Sequence, residues 1–187
     1  MKTKSIKSGS WSAIRKALAA AEKPALIALI KELHDAAALN RDLLQIRCLA
    51  GENDGEVLEK YRAKIVEQFF PARGYGKLKL AEARKAIREY RKATGSLPGT
   101  AELLMCYVES GTRFTREYGD IDERFYNSIE SALNELATLL RGKARDLYPL
   151  FADRLADVES MSDCVGWGFH DYISQVVGEL EDELGDV

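Results

Sequence analysis

Three stretches of this sequence gather residue types that could do chemistry. In Tyr118-Gly119-Asp120-Ile121-Asp122-Glu123-Arg124-Phe125-Tyr126-Asn127, three carboxylates crowd beside two tyrosines and an amide. Carboxylates so placed can share a divalent cation or act as general acid and base. They are also what the exposed amides and positive end of a helix attract for structural reasons, and that explanation weighs more. The order does not match a calcium loop, D-x-[DN]-x-[DN]-G. The second stretch, Gly166-Trp167-Gly168-Phe169-His170-Asp171, sets a histidine beside a carboxylate, the minimum for a general base. A lone histidine at a helix start is more often a hydrogen-bonded packing residue. Third comes the basic run 73–92, where Lys77, Arg84, Lys85, Arg88, Arg91 and Lys92 accompany Tyr75 and Tyr90. Such cations can neutralise phosphates while the rings stack on bases. Glu82 and Glu89 lie within the run, however, and a chain of net charge -3 repels a polyanion elsewhere. Solvation of an exposed face, or pairing with an acidic surface, is the better reading of these charges.

Motifs with a firm mechanism are missing. The sequence has no GxxxxGK[ST] phosphate loop, HExxH, ExxH pair or GxSxG elbow. His34-Asp35 and His170-Asp171 each resemble the ligand pair of all-helical metal-dependent phosphohydrolases, but their spacing and the remaining ligands do not fit. Cys48, Cys106 and Cys164 are odd in number, far apart and without a CxxC pair, which argues for reduced, mostly buried thiols. We therefore expect no catalytic residue, metal or cofactor, and lean away from an enzyme. The hydrolase alternative would use Asp120, Asp122, His170 and Asp171 converging in a cleft.

The elements that must hold these stretches are helices. At 187 residues, with 46% hydrophobic and 30% charged, the chain can bury a core as one cooperative unit. Apolar residues recur at helical spacing almost throughout, and no stretch alternates with period two. The spacing predicts eight or nine helices with short loops, hence antiparallel neighbours in a bundle or a HEAT-like stack of helical hairpins. Ser10 caps a helix to about Ala21, Pro24 opens a second with Ile27, Ile30 and Leu33 on one face, and a third runs from Arg41 to Ala50 before Gly51. A fourth carries Leu58, Tyr61, Ile65 and Phe69, and the basic helix spans Lys77 to Thr94, stopped by Gly95. Thr100 is the expected cap of the next helix, which carries Gly111 inside its apolar face and so invites a close helix crossing or a kink. Asp120 and Glu123 read as a capping box for the helix bearing Phe125, Ile129, Leu133 and Leu140. Two further helices carry Leu147 to Val158 and Phe169 to Leu184, separated by the turn residues 162–168.

Charge is unevenly distributed along this array. Residues 1–95 hold 20 Lys and Arg against 11 Asp and Glu, a balance of +9, whereas residues 96–187 hold 7 against 19, a balance of -12. The single domain, 11–187, thus divides into a basic half, 11–95, and an acidic half, 96–187, which either face each other or offer a basic face to an acidic partner. The polar, lysine-bearing residues 1–10 read as a flexible N-terminus. The apolar run 25–30 is too short for a leader or a span, so a cytoplasmic chain is expected.

Tyr107-Val108-Glu109-Ser110-Gly111, with Phe114-Thr115, Glu117 to Asp122 and Phe125-Tyr126-Asn127-Ser128, resembles the signature of an uncharacterised family of small bacterial helical proteins. Gly166 to Asp171 is similar to its second signature, while Arg124 departs from the proline or smaller residue of the first. The resemblance implies a helical fold and bacterial origin, and no particular activity. Two signatures at helix junctions could also meet in one pocket, whose candidate binding residues are Tyr118, Asp120, Asp122, Glu123, Tyr126, Asn127, Trp167, His170 and Asp171. The expected function is a helical protein-interaction or scaffold module that docks a protein partner or self-associates. A metal-dependent hydrolase and nucleic-acid binding through the basic helix are the alternatives.

Overall fold

A computed structural model of the chain describes residues 10–49, 54–163 and 165–185. Among them are nine α-helices and no strand: α1 (Trp11–Ala19), α2 (Lys23–Ala36), α3 (Ala38–Cys48), α4 (Asp54–Phe69), α5 (Leu80–Thr94), α6 (Leu97–Tyr118), α7 (Glu123–Arg141), α8 (Tyr148–Ser162) and α9 (Phe169–Leu184). A single 3-10 turn, Arg145–Leu147, holds Leu147 and leads into α8. No helix among the described residues is long and apolar enough to cross a membrane.

Capping chemistry decides several boundaries differently from the expectations above. Ser96, rather than Thr100, caps α6: its hydroxyl accepts from Gly99 N at 3.1 Å, and Pro98 sits in the first turn, where its missing N–H costs nothing. Thr100 is buried, and its hydroxyl donates back to the Ser96 carbonyl at 2.6 Å. For α7 the cap is Asp122, whose carboxylate accepts from Phe125 N at 2.8 Å, so Asp120 with Glu123 forms no capping box. The third helix starts earlier than Arg41, because extended Ala37 ends α2 and opens α3. There the Asn40 amide donates to the Leu33 carbonyl at 2.7 Å, satisfying one of the carbonyls that a helix end leaves open. The basic helix starts at Leu80, three residues later than expected, after Leu78 takes φ +46°. The cap expected at Gly51 lies outside the described residues.

The core is organised around α6. Fourteen of its 22 residues are buried, as expected of a helix that is apolar on most sides, and α4, α5, α7 and α8 pack against it. Phe69 stacks edge-on against Tyr107, with ring centroids 5.4 Å apart, while α9 closes the far side through α7 and α8. At Gly111 α6 lies directly against α7, since a Cβ added there would collide with Cδ1 of the fully buried Ile129 and stand 2.8 Å from its Cγ1. At the other end of the chain the packing thins. α3 is tied on by buried Asp42, whose carboxylate accepts from Lys60 Nζ at 2.5 Å and the Tyr61 hydroxyl at 2.7 Å. Neither α1 nor α2 buries a single residue.

Candidate functional site

The structure brings the two junction segments together around one tyrosine. Tyr126 is buried in the first turns of α7, and its hydroxyl lies 2.8 Å from Thr115 Oγ1 on α6, accepts from Ile121 N at 3.3 Å and donates to Asp120 Oδ1 at 3.1 Å. The same Asp120 oxygen accepts from Gly166 N at 3.3 Å, which joins the α6–α7 loop to the α8–α9 loop. A Cβ at 166 would lie 2.9 Å from Asp120 Oδ2, so a larger residue there would displace the carboxylate that holds the two loops together. Trp167, held at φ +64° and largely exposed, stacks on the Tyr126 ring at 6.5 Å, and Phe169 packs on it at 5.0 Å. Burial above all, together with the Asp120 carboxylate, raises the Tyr126 pKa against the opposing bonds from Thr115 and Ile121. The phenol therefore keeps its proton at neutral pH and serves as a fixed donor to Asp120.

The remaining candidates at this junction are engaged separately. Asp122 is occupied as the α7 cap, and Glu123 and Asp171 lie exposed in the first turns of α7 and α9, where negative charge complements the helix dipole. His170 turns one ring nitrogen to Ser162 Oγ at 2.9 Å and the other to Ser174 Oγ at 3.5 Å, rather than to Asp171. Asn127 is exposed, and Tyr118 packs against Phe114 with ring centroids 4.6 Å apart. Among the described residues no three His, Cys, Asp or Glu side chains stand where they could hold a metal ion. This arrangement fastens two loops together and presents an exposed tryptophan.

On the basic helix Arg84 is part-buried, while Lys85, Arg88, Arg91 and Lys92 are exposed. Arg84 and Arg91 both reach Glu135 of α7, at 2.9 and 3.2 Å, so the basic half is held against the acidic half at this point. Lys77 pairs with Glu67 at 3.7 Å and Lys85 with Glu82 at 3.9 Å, while Arg88 is exposed. Tyr90 is buried against Tyr61 with ring centroids 5.5 Å apart and offers no face for a base, whereas Tyr75 is exposed.

Two constellations were missed by sequence reasoning. One is an ion-pair ladder between α4, α6 and α8: Arg154 bonds Glu109 at 2.7 and 2.8 Å and Glu102 at 2.6 Å, and Arg62 reaches the other Glu102 oxygen at 2.5 Å. Its signal was the seven-residue spacing of Glu102 and Glu109, which puts both on one face of α6. Cys106 lies beside it, buried, with burial above all pushing its thiol pKa up, so it is no nucleophile at neutral pH.

The other is an apolar surface on α2 and α3. A groove of about 530 Å³ between α2 and α3 is lined by Ile27, Ile30, Leu44 and Leu49, with His34 and Cys48 at its edge. Ile27, Ile30 and Leu33, which the periodicity sets on one face, are 57%, 45% and 50% exposed. Cys48 is exposed as well, so of the two cysteines described only Cys106 is buried. The available signal was in α2 itself, where Leu26, Ile27, Leu29, Ile30 and Leu33 occupy more than one face, which a helix covered on a single side does not need.

No family model, curated protein or solved structure matches this chain.

Proposed function

We propose that this protein is a helical interaction module whose working surface is the apolar face of α1, α2 and α3, with α4 to α9 as the rigid body that carries it. One observation supports this reading above the others: among the described residues α1 and α2 contain no buried position, Ile27 and Ile30 of α2 line an apolar groove with Leu44 and Leu49 of α3, and Trp11, Ile14 and Leu33 are exposed as well. Isolated exposed apolar residues are ordinary, but a contiguous patch larger than a few hundred Å² on a soluble chain marks a contact surface. The basic helix exposes charges rather than an apolar face, and the Asp120–Tyr126 network at the junction is satisfied within the fold.

A photo-crosslinking amino acid placed separately at positions 30, 88 and 127, in the cell that makes the protein, tests this choice of surface. The expected result is a discrete adduct from position 30, abolished by Leu33→Glu, with none from 88 or 127. Adducts from 88 alone would move the interface to the basic helix, and adducts from 127 alone would move it to the junction.

A further inference from the structure

We propose that the partner seated in the α2–α3 groove is an amphipathic helix of another protein, about three turns long, whose apolar face lies between acidic residues near its two ends. The proposal rests on the interaction reading above and names the chemistry of its occupant.

Shape is the first argument. α2 and α3, joined through extended Ala37, enclose a concave groove of about 530 Å³. Its lining comes from one stripe of each helix: Ile27, Ile30 and His34 recur at helical spacing on α2, as do Arg41, Leu44 and Cys48 on α3. A trough between two helices receives a third helix, anchored by apolar side chains at i, i+3 or i+4, and i+7. A bilayer, by contrast, takes up an amphipathic helix by its convex apolar face.

Charge is the second. Among the described residues no carboxylate lines the groove, whereas Lys31, His34 and Arg41 all do. Asp35 of the same helix already answers Lys31 and His34, at 2.6 and 2.9 Å. Arg41 meets only the His34 carbonyl, at 3.5 Å. At the other end, Lys23 stands one turn before Ile27 on the same stripe of α2. Of the six Lys and Arg on α1, α2 and α3, only Lys31 has a carboxylate partner among the described residues. The apolar groove therefore lies between two uncompensated cations, Lys23 and, beside His34, Arg41. From Lys23 to His34 α2 rises about 16 Å, the length of three turns. Acidic side chains near both ends of a partner helix of that length reach both cations while its apolar face covers Ile27, Ile30, Leu44 and Leu49.

Fluorescence anisotropy on the full chain, with two synthetic helical peptides, provides the test. Both carry leucine at i, i+4 and i+7 on an alanine background, and they differ only in having glutamate or lysine flanking the leucines. The chain should bind the glutamate peptide on the order of tenfold more tightly than the lysine peptide, the scale of two exposed charge pairs, and the difference should shrink as salt rises. Ile30→Glu should weaken the glutamate peptide on the order of thirtyfold, as loss of a central anchor does. Helical circular dichroism should be unchanged, because position 30 lies outside the core. Lys23→Glu with Arg41→Glu should reverse the order of the two peptides. Failure to bind either peptide, equal affinity for both, or binding that survives Ile30→Glu overturns the acidic helix, as does tighter binding to phosphatidylglycerol vesicles than to either peptide. A position-30 adduct to a second copy of this chain, or to a segment without acidic residues, also overturns it but leaves the interaction reading standing. Failure to bind either peptide together with no position-30 adduct removes both.

Discussion

Replacing Gly111 with alanine tests the packing logic of the whole core, because two opposing effects of known size meet at that atom. Alanine in place of a mid-helix glycine stabilises a helix by about 1 kcal/mol. Here the new methyl would overlap Cδ1 of Ile129 and sit 2.8 Å from Cγ1, and Ile129 is fully buried, with no solvent side to which it can move. Overpacking of this kind costs about 1–3 kcal/mol, so the net expectation is destabilisation by about 1 kcal/mol. The two effects separate in a second background. Ile129→Ala alone leaves a cavity and should cost about 2–5 kcal/mol. Once that side chain is gone, Gly111→Ala has room, keeps its helical advantage and should stabilise by about 1 kcal/mol. Gly111→Ala should therefore change sign between backgrounds, with a coupling of about 2 kcal/mol, the size expected of residues in contact. Urea unfolding followed by circular dichroism at the helical band measures all four proteins of the cycle. If Gly111→Ala stabilises the parent chain, or if the two substitutions add without coupling, α6 and α7 do not cross at this glycine.

Two further outcomes probe the loop junction and the ion-pair ladder. Tyr126→Phe removes the hydroxyl that links Thr115, Ile121 and Asp120, and should cost about 1–2 kcal/mol, with faster amide exchange at Ile121 and Gly166. Unchanged exchange at both amides would show that the hydroxyl does not fasten the two loops. At Glu102, burial alone would raise the carboxyl pKa, but hydrogen bonds from Arg154 and Arg62 outweigh it and hold the group below its ordinary 4.5. A depressed carboxylate contributes stability that is complete above about pH 4.5 and is lost as pH falls through the lower folded value. Glu102→Gln should thus lower stability at neutral pH by about 2 kcal/mol and flatten the acid limb of the stability curve. Parallel acid limbs for the two proteins would refute the ladder's role.

The sequence by itself determined the helices. Backbone hydrogen bonds in a helix close within four residues, so the apolar stripe of α4 through Tyr61, Ile65 and Phe69, and that of α7 through Phe125, Ile129 and Leu133, could be read without knowing what covers them. Gly111 carried a tertiary message for the same local reason, since a glycine inside an apolar helical face needs a close neighbour to justify it. What only the tertiary structure decided was which groups meet across long loops. Glu135 draws in Arg84 and Arg91 from 51 and 44 residues away, and Asp120 takes Gly166 N from 46 residues away while leaving the α7 cap to Asp122. It also decided which stripes stay bare. Periodicity reports that a face of α2 or α7 is apolar and does not report what lies opposite it. Packing covers Ile129 completely and leaves Ile30 open.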